Sequence, residues 1–282
     1  MIWAVVVTRR RPVDLRRRLA ALAAQSRPPD RILVVDNADS AEGSARVPRN
    51  VELLSLGGNS GSAGGQRAGW ERAFGGGASA VWAMDDDCEP SPRALEVIVD
   101  QAIRHPQAVL TCLVQDRETG LMGPLVRTLP GIPCRPRATD VIHSRDAVAP
   151  GDIRDGVFWN WGHFFLGTFV PLSVFRSVGP VDQRYFIRGE DYEYLLRCLR
   201  SAPVGVVMDS LMNHPMSHSR GKFDEKSLYE LRNHVSIDRQ YFPSLRTSAL
   251  GMAACCLRDV IHHPESPAKI CQAYWAGLRN RF

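Results

Sequence analysis

Residues 80–87 read Ala80-Val81-Trp82-Ala83-Met84-Asp85-Asp86-Asp87, five apolar side chains running straight into three carboxylates. A short apolar run bounded by polar residues is the pattern of a strand buried on both faces. Three adjacent carboxylates repel one another and are costly to hold together unless exposed or opposite a cation. Alternate residues of an extended segment point to one side, so Asp85 and Asp87 are expected to project together. That spacing suits oxygen ligation of Mg²⁺ or Mn²⁺ shared with a substrate diphosphate. The plain alternative is an acidic turn capping the helix that begins near Ser91. Directly after a buried strand, metal binding is the expectation.

The same alternation of strand and helix extends outward on both sides. Ile2–Thr8, Arg31–Asp36 and residues 51–56 and 108–114 are apolar enough for strands, and residues 13–24 and 91–105 carry apolar side chains at helical spacing. Gly57 to Gly65 (GGNSGSAGG) reads as a glycine-rich loop, followed by a helix through Phe74. Crossover units of this kind predict an α/β fold with a doubly wound, mostly parallel sheet. Ligands in such sheets bind beyond the carboxyl ends of the strands. Those ends carry Thr8-Arg9, Asp36-Asn37, the glycine loop and Asp85-Asp86-Asp87. Residues 120–156 gather prolines and predict a long irregular excursion, the kind of loop that often serves binding. Residues 158–170 are apolar and aromatic, followed by a short helix from Pro171. Next come a helix at 190–200, a strand at 203–209, and helices at 224–241, 245–262 and 268–279. The expected division is a catalytic domain at 1–215 and a helical C-terminal extension at 216–282 packed on it.

Composition narrows the class. The chain has 282 residues, 44% hydrophobic and 23% charged, which excludes disorder and a small disulfide scaffold. The formal charge of +5 does not by itself imply nucleic acid. Only Lys222, Lys226 and Lys269 among the basic residues are lysines; the rest are arginines, which pair bidentately with phosphate. No apolar stretch is long enough to span a bilayer. The N-terminus places its arginines after a short apolar run, the reverse of a signal peptide. Seven cysteines without a CxxC pair argue against a zinc site or disulfide framework and for a reducing, cytoplasmic setting.

Three further constellations carry chemistry. The glycine loop lets backbone N–H groups approach an anion, yet lacks the Gly-Lys-Ser/Thr of a Walker loop and the GxGxxG of a dinucleotide fold. Glu190-Asp191 sits at a helix N-terminus, where acids are favoured by the dipole; the functional reading makes Asp191 a general base, and the residues alone leave both open. His214, following the 203–209 strand, is either structural or a ligand of an Mn²⁺-type site.

Taken in order, these motifs resemble the family 2 glycosyltransferases of GT-A fold. They are Thr8-Arg9, Asp36-Asn37, Asn59-x-Gly61-x-Ala63-Gly64-Gly65, Asp85-Asp86-Asp87, Glu190-Asp191 and His214. The agreement spans residues 1–240. It is most similar to bacterial galactofuranosyltransferases and rhamnosyltransferases, where a VDN strand end, an NxGxAGG loop and a DDD triplet occur together. Leu228-Tyr229-Glu230-Leu231-Arg232-Asn233 also resembles a tyrosine-plus-Arg-Asn segment of those groups, with a structural or diphosphate-contacting role.

The resemblance implies roles position by position. Thr8 and Asp36 would contact uracil or thymine, with Arg9 nearby. Asn59 and the glycines, Gly64 among them, would wall the ribose and base. Asp85 would sit on the ribose and metal side, Asp86 with the donor-binding residues, and Asp87 and His214 on the metal. Asp191 would be the base, and Trp159, Trp161 and His163 would meet the acceptor, core packing being the alternative for these aromatics. The implied activity is a metal-dependent (Mn²⁺ or Mg²⁺) inverting transfer. The donor would be UDP-galactofuranose, with dTDP-rhamnose as runner-up. The acceptor would be a polyprenyl-diphosphate-linked or cell-wall glycan. Residues 9–18 and 258–281 are candidates for peripheral contact with the inner face of the membrane, a solvated helix face being the alternative. A sugar-nucleotidyltransferase would carry glycines directly after the first strand, which Thr8-Arg9-Arg10-Arg11-Pro12 lacks. A non-catalytic sugar-nucleotide-binding protein would need no Glu190-Asp191.

Overall fold

Every residue of Ile2–Thr8 (β1) is buried, because both faces of that strand are covered. Trp3, Val5 and Val7 face a core that includes Trp70, Phe165 and Tyr194, with the Trp70 ring edge-on to the other two. Ile2, Ala4 and Val6 face a second core built on Leu15, Leu19, Leu22, Leu95 and Ile98.

In the computed structural model the described residues are 1–38, 47–120, 122–123, 125–127, 141–142, 148, 150–215, 223–242 and 249–279. After β1 come α1 (Pro12–Ala23), β2 (Arg31–Asp36), β3 (Glu52–Ser55), α2 (Gly61–Gly75), β4 (Ala80–Asp85), β5 (Glu89–Pro90), α3 (Ala94–Arg104) and β6 (Val109–Asp116). Short strands β7 (Leu125–Arg127), β8 (Val141–Ile142), β9 (Ile153–Arg154), β10 (Val157–Trp159) and β11 (Trp161–Gly162) precede β12 (Leu166–Pro171) and α4 (Leu172–Val178). The chain continues through α5 (Glu190–Leu199), β13 (Val204–His214), α6 (Glu225–Tyr241), α7 (Ala249–His262) and α8 (Pro267–Leu278). Most of the 120–156 excursion, Cys134, residues 216–222 beyond the expected domain boundary, the expected helix start at 245 and Arg281 lie outside the described residues.

The main sheet has the order β3-β2-β1-β4-β12-β6-β13-β10-β9, with β5 beside β13. Its first four strands are parallel, as the crossovers require. Between β4 and β6 the sheet accepts β12 antiparallel to both, which no pattern in the sequence announced. The strand expected at 203–209 continues to His214, parallel to β6 through a register shift between Val207 and Leu211. His214 therefore ends a strand opposite Asp116 instead of following one.

The glycine segment differs from expectation as well, since its second half is helix. Gly65 and Gly69 bring the backbone of α2 directly onto the sheet. A Cβ would fall 2.6 Å from Val7 Cγ1 at Gly65 and 2.5 Å from Val5 Cγ1 at Gly69. Close packing overrides the poor helix propensity of glycine here. At the other end of the chain, α6 opens with a capping box formed by Asp224 and Ser227. Val235, Met252, Ile270 and Tyr274 form a small core among α6, α7 and α8. No helix among the described residues is long and apolar enough to cross a membrane.

Candidate active site

Strand register collects the expected residues at one carboxyl edge. Thr8 lies opposite Asp36, Asp36 opposite Ser55, and Val7 opposite Asp85. Asp36 is buried and accepts from the Ala38 N–H at 3.2 Å, while Arg9 is exposed beyond Thr8. Asn37 ties this edge to the glycine segment. Its Oδ1 accepts from the Ser60 N–H and hydroxyl, and its Nδ2 donates to the Gly61 carbonyl, each at 2.8 Å. Asn59 Oδ1 accepts from the Gly61 N–H at 3.1 Å, and Gly64 packs on the Ser60 side chain. The order Asp36-Asn37 thus holds an edge carboxylate followed by a loop anchor.

The three aspartates meet three different surroundings. Asp85 faces a cleft and accepts from Gln66 Nε2 at 3.3 Å, with Gln66 Oε1 fixed by Trp70 Nε1 at 3.0 Å. Burial, reinforced by the charges of Asp87 and Asp86, pushes the Asp85 carboxyl up to about 8. Asp86 turns toward Thr8 and Arg11. It is buried, accepts from the Thr8 hydroxyl at 2.7 Å and from Arg11 Nη1 at 3.3 Å, and does not line the cleft. Arg18, only 2% exposed, donates from Nη2 to the Asp86 carbonyl at 3.4 Å. Asp87 is bonded by Arg11 and lies 3.4 Å from His214 Nε2. Burial alone would raise Asp87, but His214 and Arg11 outweigh it and hold the carboxyl at about 2.

Among the described residues, Asp87, Cys88 and His214 offer ligand atoms within 4.8 Å of one another, and Asp85 is outside this group. Asp87 Oδ1 is buried with only the long 3.4 Å contact to His214 Nε2, and His214 Nδ1 is buried without a hydrogen-bond partner. An ionised carboxylate with a weakly engaged buried oxygen beside an imidazole with an unpartnered nitrogen fits an Mn²⁺- or Mg²⁺-type ion. Cys88 does not, because burial keeps its thiol protonated and hard cations prefer oxygen.

The cleft measures about 650 Å³ and gathers Asp85, His214, His163, Glu190, Asp191 and Tyr192, with Glu230 and His234 of α6 on its far wall. Asp191 opens α5 behind Gly189, which takes the left-handed conformation at φ +93°. Burial, with the charge of Asp191 beside it, raises the Glu190 carboxyl well above its usual range. Burial lowers His163, keeping its imidazole neutral next to Asp191 and His214. The structure separates His163 from the two tryptophans grouped with it. Trp161 stacks on Phe158 at 5.1 Å, and Trp159 packs edge-on to His105 at 4.9 Å, and neither lines the cleft. Both rings pack against neighbouring aromatic rings, the arrangement expected of the core-packing alternative. Gln66, Arg11 and His234 were not foreseen in the site, and Glu230 was touched only through the Leu228–Asn233 segment. Arg11 carried a signal, as a cation just past the first strand. Glu230 lies in the Leu228–Asn233 segment whose resemblance implies a structural or diphosphate-contacting role, whereas His234, just beyond it, carries no signal, because nothing in the sequence folds so distant a helix back against Asp191.

Comparison with known proteins agrees with this geometry. The sequence profile of glycosyl transferase family 2 matches residues 3–156. Galactofuranosyltransferase GlfT1 of Mycobacterium tuberculosis (strain ATCC 25618 / H37Rv) is 33% identical over 223 residues, 76% of this chain and 70% of that protein. GlfT1 of Mycolicibacterium smegmatis is 31% identical over 222 residues, 76% and 71% of the two chains. Among solved structures, GalNAc-T7 with UDP, GalNAc and Mn²⁺ superposes with a TM-score of 0.62 at 13% identity, over 85% of this chain and 47% of that one. The chain therefore spans about half the length of GalNAc-T7. Residues 1–349 of S. aureus TarS in complex with UDP give a TM-score of 0.51 at 13% identity, over 99% and 91%. The mixed sheet with its acidic strand end is a GT-A fold, and by its sequence the chain belongs to glycosyl transferase family 2, close to the galactofuranosyltransferases.

Proposed function

We propose that this enzyme transfers galactofuranose from UDP-galactofuranose to a glycan hydroxyl with inversion at the anomeric carbon. The observation that carries the proposal is a single cleft holding Asp85, His214 and Asp191 at the carboxyl edge of the sheet. The galactofuranosyl transfer named for the relatives supports the choice of sugar. Thr8, Arg9, Asp36, Asn59 and Gly64 border the uridine, and Asp85 faces its ribose. Asp87 and His214 hold Mn²⁺ or Mg²⁺, which when bound neutralises charge on the diphosphate. The acceptor lies across the cleft against His163, Tyr192 and His234. Its oxygen attacks the anomeric carbon from the face opposite the diphosphate, and Asp191 takes the hydroxyl proton. The new C–O bond forms as the bond to the diphosphate breaks, and UDP leaves with the electron pair. Positioning of both substrates supplies much of the acceleration.

The proposed acceptor is a polyprenyl-diphosphate-linked or cell-wall glycan, reached from the cytoplasmic side. Exposed Leu257, Ile261 and Trp275, beside Arg258 and Arg279, support contact of the proposed 216–282 extension with an anionic membrane surface. A donor panel with Mn²⁺ tests the reading. UDP-galactofuranose should turn over, Asp191→Asn should bind UDP yet transfer nothing, and chelator should stop transfer until Mn²⁺ returns. Turnover of dTDP-rhamnose instead replaces the sugar, and normal transfer by Asp191→Asn removes the base.

A further inference from the structure

We infer that Asn233 of α6 is the positioning residue of the catalytic carboxylate, its amide locking residues 185–189 in the strained turn that aims Asp191 into the cleft. The inference rests on Asp191 being the base. Asn233 is completely buried. Its Nδ2 shares its two hydrogens among three carbonyls of the turn, Tyr185 at 2.8 Å, Ile187 at 3.0 Å and Arg188 at 2.6 Å. Its Oδ1 accepts from Arg232 Nε at 3.0 Å and Nη2 at 2.8 Å. Carbonyls only accept and guanidinium only donates, so the amide has one possible orientation. The same Arg232 Nη2 also donates to the carbonyls of Arg184 at 3.2 Å and Tyr185 at 3.1 Å.

The turn needs this many restraints. Phe186, Arg188 and Gly189 have φ of +62°, +66° and +93°, and two of the three are not glycine. L-residues are disfavoured there, and such a conformation persists only where the surroundings over-determine it. What the strain achieves is placement. The carbonyl of Gly189 accepts from the Glu193 N–H at 2.9 Å, starting α5 so that Glu190 and Asp191 enter the cleft. On the opposite side the Phe186 carbonyl accepts from the Ala63 N–H at 3.0 Å, tying the turn to the glycine end of α2. Asn233 therefore fixes the base relative to the wall proposed for the donor, from a helix in the proposed extension.

The test compares Asn233→Ala and Asn233→Ser in the full chain by three measurements. These are UDP binding with Mn²⁺, kcat and KM for transfer, and hydrogen exchange of the backbone amides at 188–192. Misplacing the base by about an ångström should cut kcat about 100-fold in Asn233→Ala with UDP affinity unchanged. Asn233→Ser, whose hydroxyl still donates to one carbonyl, should recover part of the loss. Exchange should quicken at 188–192 and stay slow at 194–199. Unchanged kcat overturns the inference. So does a fall of UDP affinity in step with kcat, or faster exchange throughout α5, since each marks a merely structural residue. If the alanine variant does not fold, the serine variant is compared with Arg232→Met, which frees the amide to rotate. Wild-type protein that ignores UDP-galactofuranose defeats the proposed function alone, because the donor that does turn over and the exchange pattern still decide the role of Asn233.

Discussion

Replacing Gly61 by alanine should force apart the two walls that Asn233 holds together. Gly61 begins α2 at φ +72°, and a Cβ there would lie 2.1 Å from the Phe186 carbonyl oxygen. Relaxed carbon contacts lie near about 3.5 Å, so the turn at 185–189 must retreat by about an ångström or more. That retreat breaks the bond from the Ala63 N–H to the Phe186 carbonyl, worth about 1 kcal/mol net. The left-handed conformation adds about 1–2 kcal/mol for any residue with a Cβ. The sum is about 2–3 kcal/mol, and alanine's helix propensity gives no offset at a residue held in the left-handed conformation. Urea denaturation should show a lower midpoint with an unchanged slope. Gly75→Ala, at the far end of the same helix with open space around its Cβ, is the control and should not destabilise. Because the displaced turn leads into Asp191, kcat should fall in Gly61→Ala and not in Gly75→Ala. A Gly61→Ala protein within about 0.5 kcal/mol of wild type refutes the contact on which the argument stands.

Tyr241→Phe removes a buried hydroxyl that donates to Glu193 Oε1 at 2.6 Å, and should cost about 1.5–3 kcal/mol in urea denaturation, the range for a hydrogen bond to a charged group. Asp87→Asn should abolish Mn²⁺ binding measured by calorimetry without donor, and His214→Ala should weaken it, since these two side chains carry the weakly engaged oxygen and the unpartnered nitrogen. Burial raises the Asp85 carboxyl, so its share of stability is complete below the ordinary carboxylate range and is lost as pH rises through about 8. Glu190 is raised by burial in the same sense, whereas Asp87 is depressed by His214 and Arg11 and loses its share only as pH falls through about 2. In chelator the melting temperature should therefore decline from weakly acidic to alkaline pH, and Asp85→Asn should flatten that decline.

Much of this was legible because burial on both faces leaves a mark on composition. β1, β2 and β4 announce themselves as apolar runs ending in polar residues, and parallel pairing then gathers those ends. What could not be read depends on partners distant in sequence. Gly65 looks like a loop residue, and Gly69 like a weak point in the helix that follows, until Val5, Val7 and Val35 are seen beneath them. Asp86 looks equivalent to its neighbours until Thr8 and Arg11 are seen bonding its carboxylate. Trp159 and Trp161 read equally as sugar platforms or as core, and the ring contacts with His105 and Phe158 appear only in the fold. Asn233 sits in a helix of ordinary appearance, and its burial against three carbonyls is visible only after folding.

The antiparallel insertion of β12 has a consequence for how the chain is built. Residues 1–116 contain β1 to β4, which pair among themselves, and also β6, whose partners β12 and β13 have yet to be synthesised. During translation the nascent chain carries an unpaired apolar strand and an open edge at β4 until residues 166–214 emerge. Unpaired edges are sites of aberrant association, and contacts this far apart in sequence form slowly. The strand that completes the sheet ends at His214, opposite Asp116 and beside Asp87. The last strand to pair thus also delivers the second proposed metal ligand, so an incomplete product is left without that pair of ligands.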